Sequence, residues 1–344
     1  MCNGNRENSS SLYSEFASAL GPYEPQLPLD ELVLQMNRIY HRYEAQEFDS
    51  LHAPDFEQMA SLWRDMLDCA STETQSDKWR ILDFGCGTGF EASQVLLHVP
   101  RSNIEHLTCY DASPDMLSQC ISKISPLFSD ASFSSRLEDI PTDKGFYNVL
   151  LTNQMLHHLT DVPGTIKSLL PILSGDALWM SGHEPSSRYF RNPECWKMYR
   201  AFLKEHKWKR FLAPEKYIRR FKRAVGLEKN IEMLAAREAV QRGLFKRALP
   251  SDLVVLVVDF QSIRSAQEAS ESERGLDVEV LENDFRNLFH LIFLKTYNFM
   301  GSFEESGLPR KWVLAARDIQ KRFPKDGSHY SAVWKRVPPL TMRQ

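Results

Sequence analysis

Residues 79–97 read WRILDFGCGTGFEASQVLL, and no other stretch constrains the fold as much. A short apolar run closes on an acid, Asp83, meets three glycines spaced by two (Gly85, Gly87 and Gly89), and passes at once into a helical pattern. Glycines after a strand let the backbone turn sharply and approach a ligand with no Cβ in the way. The spacing narrows the ligand. A dinucleotide fingerprint, Gly-x-Gly-x-x-Gly, requires glycine at 90, where Phe90 stands. A phosphate-cradling P-loop requires Lys-Ser/Thr after the last glycine, and the chain has none.

The flanking acids narrow it further. Asp83 suits a ligand carrying an ammonium group better than a pyrophosphate. Asp111 ends the next apolar run, 22 residues beyond Gly89, where a carboxylate can bond both ribose hydroxyls of a nucleoside. A nucleoside with no phosphate and an amino-acid end fits both acids, and S-adenosylmethionine is such a molecule.

The rest of the chain reads as helices around an alternating core. Residues 28–70 carry apolar positions at helical spacing (Leu32, Met36, Ile39, Tyr43), and a helix-start signal lies at Pro54 and Asp55. From 79 onward short apolar strands alternate with helices: RILDF, EHLTCYD (105–111), YNVLLTNQ (147–154) and DALWMSGHE (176–184). Such alternation predicts a parallel sheet covered on both faces. Residues 189–248 look helical. DLVVLVVDF (252–260) reads as a strand or a buried helical turn, LDVEVLEND (276–284) and HYSAVWKRV (329–337) as strands, and LPRKWVLAARDIQKRF (308–323) as a helix. The resulting division is a flexible tail over 1–25, a helical lid over 26–75, a nucleoside-binding core over 76–188, an inserted helical cap over 189–265, and strands and a helix completing the core over 266–344.

Four segments in order, ILDFGCGTG, YDASPDML, YNVLLTNQMLHHL and LSGDALWMSGHEP, resemble the class I S-adenosylmethionine-dependent methyltransferases over about residues 79–185. The resemblance implies an α/β, Rossmann-like fold with a seven-stranded, mostly parallel sheet whose last strand is antiparallel, plus the helical lid and cap. It implies that Gly85, Cys86, Gly87 and Gly89 flank the methionine part of S-adenosylmethionine with Asp83 nearby, and that Asp111 binds the ribose. Ala112 and Met116 would contact adenine, Glu138 or Asp139 would reach the adenine amino group, and Asn153 and Gln154 would lie beside the reaction centre. The chain departs from the family in strand four, where Tyr147-Asn148-Val149 replaces the usual Phe-Asp-x-Val.

Methyl transfer is an in-line displacement at a carbon on a cationic sulfur, so the protein mainly holds nucleophile, methyl and sulfur collinear and excludes water. A hydroxyl or ammonium acceptor also needs a base. His157 and His158 after strand four, and His183 and Glu184 at the end of strand five, are the candidates, with local packing as the alternative for each. Tyr40, His41 and Tyr43 in the lid and Tyr297 in TYNFMG are candidates for the acceptor side, against a reading in which the lid aromatics only seal helix to sheet. The expected function is methylation of a small molecule. The alternatives are a cyclisation or elimination on the same scaffold, or a non-catalytic binding subunit.

Charge and composition exclude other classes. The net charge of −3 argues against a general nucleic-acid binder. Residues 204–229 hold ten Lys/Arg and three Glu, read as a solvated helical face in preference to an anion clamp. No apolar run approaches the roughly 18–20 residues that cross a bilayer, and the first 25 residues lack a signal-peptide core. Six scattered cysteines with no Cys-x-x-Cys pair point to free thiols in the cytoplasm, with no metal expected. The expected partner is a small-molecule acceptor, without nucleic acid or membrane, in a monomer or homodimer.

Overall fold

The computed structural model describes residues 14, 16–74, 76–212, 230–261, 276–300 and 308–338. Three helices come first: α1 (Leu29–Glu44), α2 (Phe48–Leu51) and α3 (Ala53–Glu73). The alternating part follows as β1 (Trp79–Phe84), α4 (Phe90–His98), β2 (Ile104–Tyr110), α5 (Pro114–Ile124), β3 (Ala131–Ser134), β4 (Tyr147–Asn153), α6 (Val162–Leu169) and β5 (Leu173–Pro185). The cap helices are α7 (Ser187–Arg191), α8 (Pro193–Leu212), α9 (Ile231–Gln241) and α10 (Ser251–Val258). The chain closes with α11 (Val278–Asp284), β6 (Phe289–Tyr297), α12 (Arg310–Arg322) and β7 (His329–Arg336).

One seven-stranded sheet runs β3-β2-β1-β4-β5-β7-β6, with β7 antiparallel to both neighbours and the other pairs parallel. From β1 the chain moves outward through β2 and β3, then returns to the other side of β1 as β4. The strand order therefore reverses between β1 and β4, and a crevice opens at their C-terminal ends. Asn148 fixes this junction at the far end: its Oδ1 accepts the Arg80 N–H at 2.8 Å and its Nδ2 donates to Lys78 O at 2.7 Å.

Each face of the sheet carries its own apolar cluster. Met59, Trp63, Met66, Leu67 and Ala70 of α3 pack on one face with Ile81, Val149 and Val333, and Trp179, Phe285 and Trp334 lie on the other. A third cluster joins α1 to α9 and α10 through Val33, Met36 and Ile39 against Ala235, Ala239 and Val254. The start of the chain and the insertion thus form one helical layer. Phe16 and Leu20, inside the stretch expected to be a loose tail, are buried in that layer; residues 1–13 lie outside the described residues.

One expected strand is a helix, and the run read as either a strand or a buried helical turn is helical. Residues 252–260 contribute α10, where Val254, Val257 and Val258 recur at helical spacing and are buried against α1 and α9. Residues 278–284 form α11: Asp277 accepts the Glu279 N–H at its start, and Val278 and Leu281 are the buried pair. The strands that complete the sheet are β3 and β6. The five cysteines within the described residues (Cys69, Cys86, Cys109, Cys120 and Cys195) are free thiols.

Gly182 shows how closely β5 is built against α3. Trp63 Nε1 donates to Asn153 Oδ1 at 3.1 Å, and a Cβ at position 182 would stand 2.3 Å from that oxygen and 2.9 Å from that nitrogen. Gly182→Ala should therefore part the pair and lower the unfolding free energy by about 2–4 kcal/mol. Trp63→Phe, which removes the donor without adding volume on β5, should cost about 1–2 kcal/mol. Urea unfolding of both single variants and the double variant tests this. The double variant should cost less than the sum, and strict additivity would show that the two side chains are not coupled.

Candidate functional site

A cavity of about 770 Å³ opens at the β1–β4 crevice, walled by the sheet on one side and by α1, α10 and α7–α8 on the other. Gly85, Cys86 and Gly87 line one end. The Gly85 and Cys86 N–H groups both donate to Tyr110 O, at 2.8 and 2.9 Å, which folds the loop back over β2. Gly87 has φ +50°, and nothing lies within 4 Å of the place a Cβ would occupy. Its N–H donates to Asp111 Oδ2 at 2.8 Å, and Ser113 N–H donates to Asp111 Oδ1 at 2.7 Å. Burial pushes the Asp111 carboxyl up, and these two amides oppose it. A carboxylate has about four lone-pair sites, so two bound amides leave capacity for two ribose hydroxyls. Ala112 and Met116 line the adjoining wall, and Arg38 of α1 donates from Nε to Ala112 O at 2.9 Å.

Two acids lie at or beneath the loop. Asp83 is 1% exposed, and neither carboxylate oxygen has a hydrogen-bond partner. Burial, and then the neighbouring Glu91, push its pKa well above the usual range. Glu91 lines the cavity from the first turn of α4, and burial pushes its carboxyl up to about 8. Burial outweighs the weak opposing influence of Lys123 on Glu91, so both acids favour the protonated form; an ammonium or sulfonium against them reverses that balance. The buried polar oxygens, the open cradle at Gly87 and the placement of Asp111 fit S-adenosylmethionine.

At the other end β5 carries a bulge. Its register against β7 shifts between Ser181 and Glu184, and His183 takes φ +51°. Bulges re-aim side chains, and His183 lines the cavity. Its Nδ1 lies 3.1 Å from Tyr297 Oη, which lies 3.2 Å from Ser331 Oγ. The ring stacks on His329, with centroids 4.5 Å apart. Phe190 and Tyr199 of the cap face the same end. Backbone outliers gather here: Gln154 and Asn298 also have positive φ and also line the cavity.

Glu184, the next residue, has no exposure and points away from the cavity. Its Oε1 accepts the Met155 and Leu156 N–H groups at 2.9 and 3.0 Å, and its Oε2 lies 3.0 Å from His157 Nδ1. It joins β5 to the turn after β4 and reaches the cavity only through His157. His158 donates from Nδ1 to Val258 O at 2.7 Å, and its ring meets His41 edge-on at 5.3 Å. His41 lies 3.2 Å from Glu44. Burial pushes Glu44 up, but His41 and His52 outweigh it and bring its carboxyl down to about 2.

The cavity thus gathers Gly85, Cys86, Gly87, Asp111, Ala112, Met116, Asn153, Gln154, His157, His158, His183, Tyr40 and His41. Other expected site residues stand elsewhere. Gly89 packs toward Cys120 and Ile124 of α5, so its lack of a side chain serves the join between helices. Glu138 and Asp139 are exposed, Glu138 pairs with Arg136, and neither lines the cavity. Tyr43 turns to the cap and donates to Glu238 Oε2 at 2.6 Å. Tyr297 stands behind His183. Most of the basic stretch, 213–229, lies outside the described residues. Sequence reasoning missed Arg38, Glu91, Asp259 and His329. The only available signal was for Glu91, an acid in the first turn after the glycine loop.

Among the described residues no helix is long and apolar enough to cross a membrane. No curated protein matches the sequence. Similar solved structures include a SAM-dependent methyltransferase from Aquifex aeolicus (15% identity, 35% of this chain, TM-score 0.30), of whose own length the match covers 63%. The plantazolicin methyltransferase BpumL, in complex with a triazolic desmethylPZN analog and SAH, is 12% identical over 90% of this chain and 97% of its own, with TM-score 0.43. The [4+2]-cyclase SpnF is 13% identical over 80% of each chain, with TM-score 0.40. The model of the methyltransferase domain family matches residues 56–230, about half of the chain, from α3 to the start of α9. The seven-stranded sheet with its reversed β7 is the fold of the class I S-adenosylmethionine-dependent methyltransferases, and the chain belongs to the methyltransferase domain family.

Proposed function

We propose that the protein transfers a methyl group from S-adenosylmethionine to a small-molecule acceptor enclosed between the sheet and the helical cap. One observation carries this reading: a single cavity runs from the glycine loop to the His183 bulge, and cap side chains close over its far end. When bound, S-adenosylmethionine supplies a methyl carbon on a cationic sulfur. Asp111 would take the ribose hydroxyls, Ala112 and Met116 the adenine, and the Gly85–Gly87 backbone the methionine part. Glu91, with Asp83 behind it, would face the positive charge. Phe190 and Tyr199 would wall the acceptor.

His183 is the proton acceptor in this reading. With Nδ1–H donating to Tyr297 Oη, and that hydroxyl donating to Ser331 Oγ, the lone pair sits on Nε2. Nε2 would take the proton of an acceptor hydroxyl or ammonium as the methyl arrives. Tyr297 and the bulge position the ring, and Glu184 orients His157.

The wild type should show a clear thermal shift with S-adenosylhomocysteine, and Asp111→Ala should lose most of it; a shift with NAD instead would sink the reading. Incubated with cell extract and methyl-labelled S-adenosylmethionine, the wild type should label a small-molecule fraction, as read by mass spectrometry. His183→Asn, which tolerates the positive φ, should keep the S-adenosylhomocysteine shift and lose about 10²–10⁴-fold in labelling rate. Label appearing only in protein or nucleic acid would overturn the small-molecule assignment.

Glu91 makes a pH prediction with a definite sign. An unfolded glutamate titrates near 4.5, whereas folded Glu91 keeps its proton to about 8. Between those values the native state binds more protons than the unfolded state, so stability falls as pH rises. Glu91→Gln should flatten that slope in the cofactor-free protein and gain on the wild type toward pH 8, while binding S-adenosylmethionine more weakly. If the unfolding free energies of the two proteins stay parallel across this range, Glu91 does not hold a proton in the empty site.

A further inference from the structure

Three cavity-lining side chains have no part in the reaction above: His157, His158 and Asp259. Each offers one ligand atom, and these atoms lie within 4.8 Å of one another. The histidines sit on the 3-10 turn Leu156–His158 after β4, and Asp259 follows the last residue of α10. The two segments are pinned together. Gln261 N–H donates to His157 O at 2.7 Å, and His158 Nδ1–H donates to Val258 O at 2.7 Å.

Each imidazole is held by one nitrogen in a way that directs the other. Glu184 fixes His157 Nδ1, and Glu184 is itself fixed by two backbone N–H groups. That leaves His157 Nε2 facing Asp259 Oδ1 at 4.0 Å. For His158 the backbone carbonyl takes Nδ1–H, Nδ1 itself standing 3.7 Å from Asp259 Oδ1, and the lone pair is left on Nε2. Metal-ligating histidines characteristically donate their second N–H to a carboxylate or a carbonyl, and this pair has one of each. Two imidazoles and a carboxylate suit first-row divalent ions, and three protein ligands leave a position open. Ligands of one such ion stand about 3.3 Å apart, so binding requires the three, now within 4.8 Å of one another, to close by up to about 1.5 Å.

We propose that His157, His158 and Asp259 form a site for a first-row divalent transition-metal ion, best matched by Zn²⁺, on the cavity wall. Its open coordination position faces the cavity, where an oxygen of the acceptor would bind and be oriented. That last role rests on the proposed methyl transfer, whereas the ion site does not.

Co²⁺ is the probe. Chelator-treated full-length protein should take up one equivalent and show visible d–d bands of nitrogen and oxygen ligation, and Zn²⁺ should displace it. Asp259→Asn, which keeps size and shape, should weaken Co²⁺ binding by about ten-fold or more, and Glu184→Gln, acting through His157, by about 10–100-fold. The S-adenosylhomocysteine shift, read on the same samples, keeps the two proposals apart. Co²⁺ uptake without that shift upholds the site and fails the methyl-transfer reading. No uptake by the wild type overturns the site, as does uptake unchanged in Asp259→Asn. Thiolate-to-metal charge-transfer bands would also overturn it, because they would place the ion on a cysteine.

Discussion

The reversal of strand order between β1 and β4 is the constraint on which the rest of the structure depends. Chains leaving the two neighbouring strands turn to opposite sides, so no connection covers the ground between their ends. Everything with a functional reading stands around that gap. The glycine loop leaves β1, Asp111 ends the neighbouring β2, the His157–His158 turn leaves β4, and the His183 bulge is the end of β5. These loops are then tied to one another by acids. Asp111 holds the Gly87 N–H across from β2, and Glu184 holds the Met155 and Leu156 N–H groups across from β5. The crevice is a product of topology, and its rigidity comes from carboxylates placed to satisfy loop amides that would otherwise be buried without partners.

The acids fall into two classes, and environment alone separates them. Glu44 is buried but meets two imidazoles, and its carboxyl is brought down to about 2. Glu91 and Asp83 are buried with too little positive charge to offset that burial, Lys123 acting only weakly on Glu91, and both are pushed up. A folded protein gains nothing from burying an acid in the second way. Glu91 therefore makes sense as a group whose partner arrives with the ligand, and S-adenosylmethionine carries two positive centres. The cofactor end of the cavity is thus held at a cost in the free protein that binding offsets.

Much of this was legible in the sequence, and the rest was not for identifiable reasons. The glycine loop, Asp111 and the β-strand alternation are local signals, and all three recur in the structure. LDVEVLEND misled because Leu276, Val278 and Val280 alternate as in a strand. The Asp277 cap and the packing of Val278 and Leu281 make it helical, and Val280 is left exposed. DLVVLVVDF is rich in β-branched residues and left strand and buried helical turn both open; α10 is a helix because α1 and α9 offer it one apolar face, and packing outweighs propensity. Arg38 and Asp259 had no local signal at all. Each reaches the site from an element far away in the chain, and only the joining of α1, α9 and α10 into one layer brings them there.

That joining bears on where specificity resides. The cofactor end is built almost wholly from consecutive strand-to-helix loops, so its chemistry is fixed by the part of the chain that defines the family. The far end is assembled from α1, the inserted helices and the β6–β7 strands, none of which carries the nucleoside signature. His183 stands where the two meet, on a family strand but oriented by Tyr297 of β6 and Ser331 of β7. Changes in the cap can therefore reshape the far end of the cavity without touching the Asp111–Gly87 bond or the loop it secures. The same argument explains why the glycine stretch identifies the methyl donor and is silent on the acceptor: the residues that would select the acceptor are contributed by the rest of the chain.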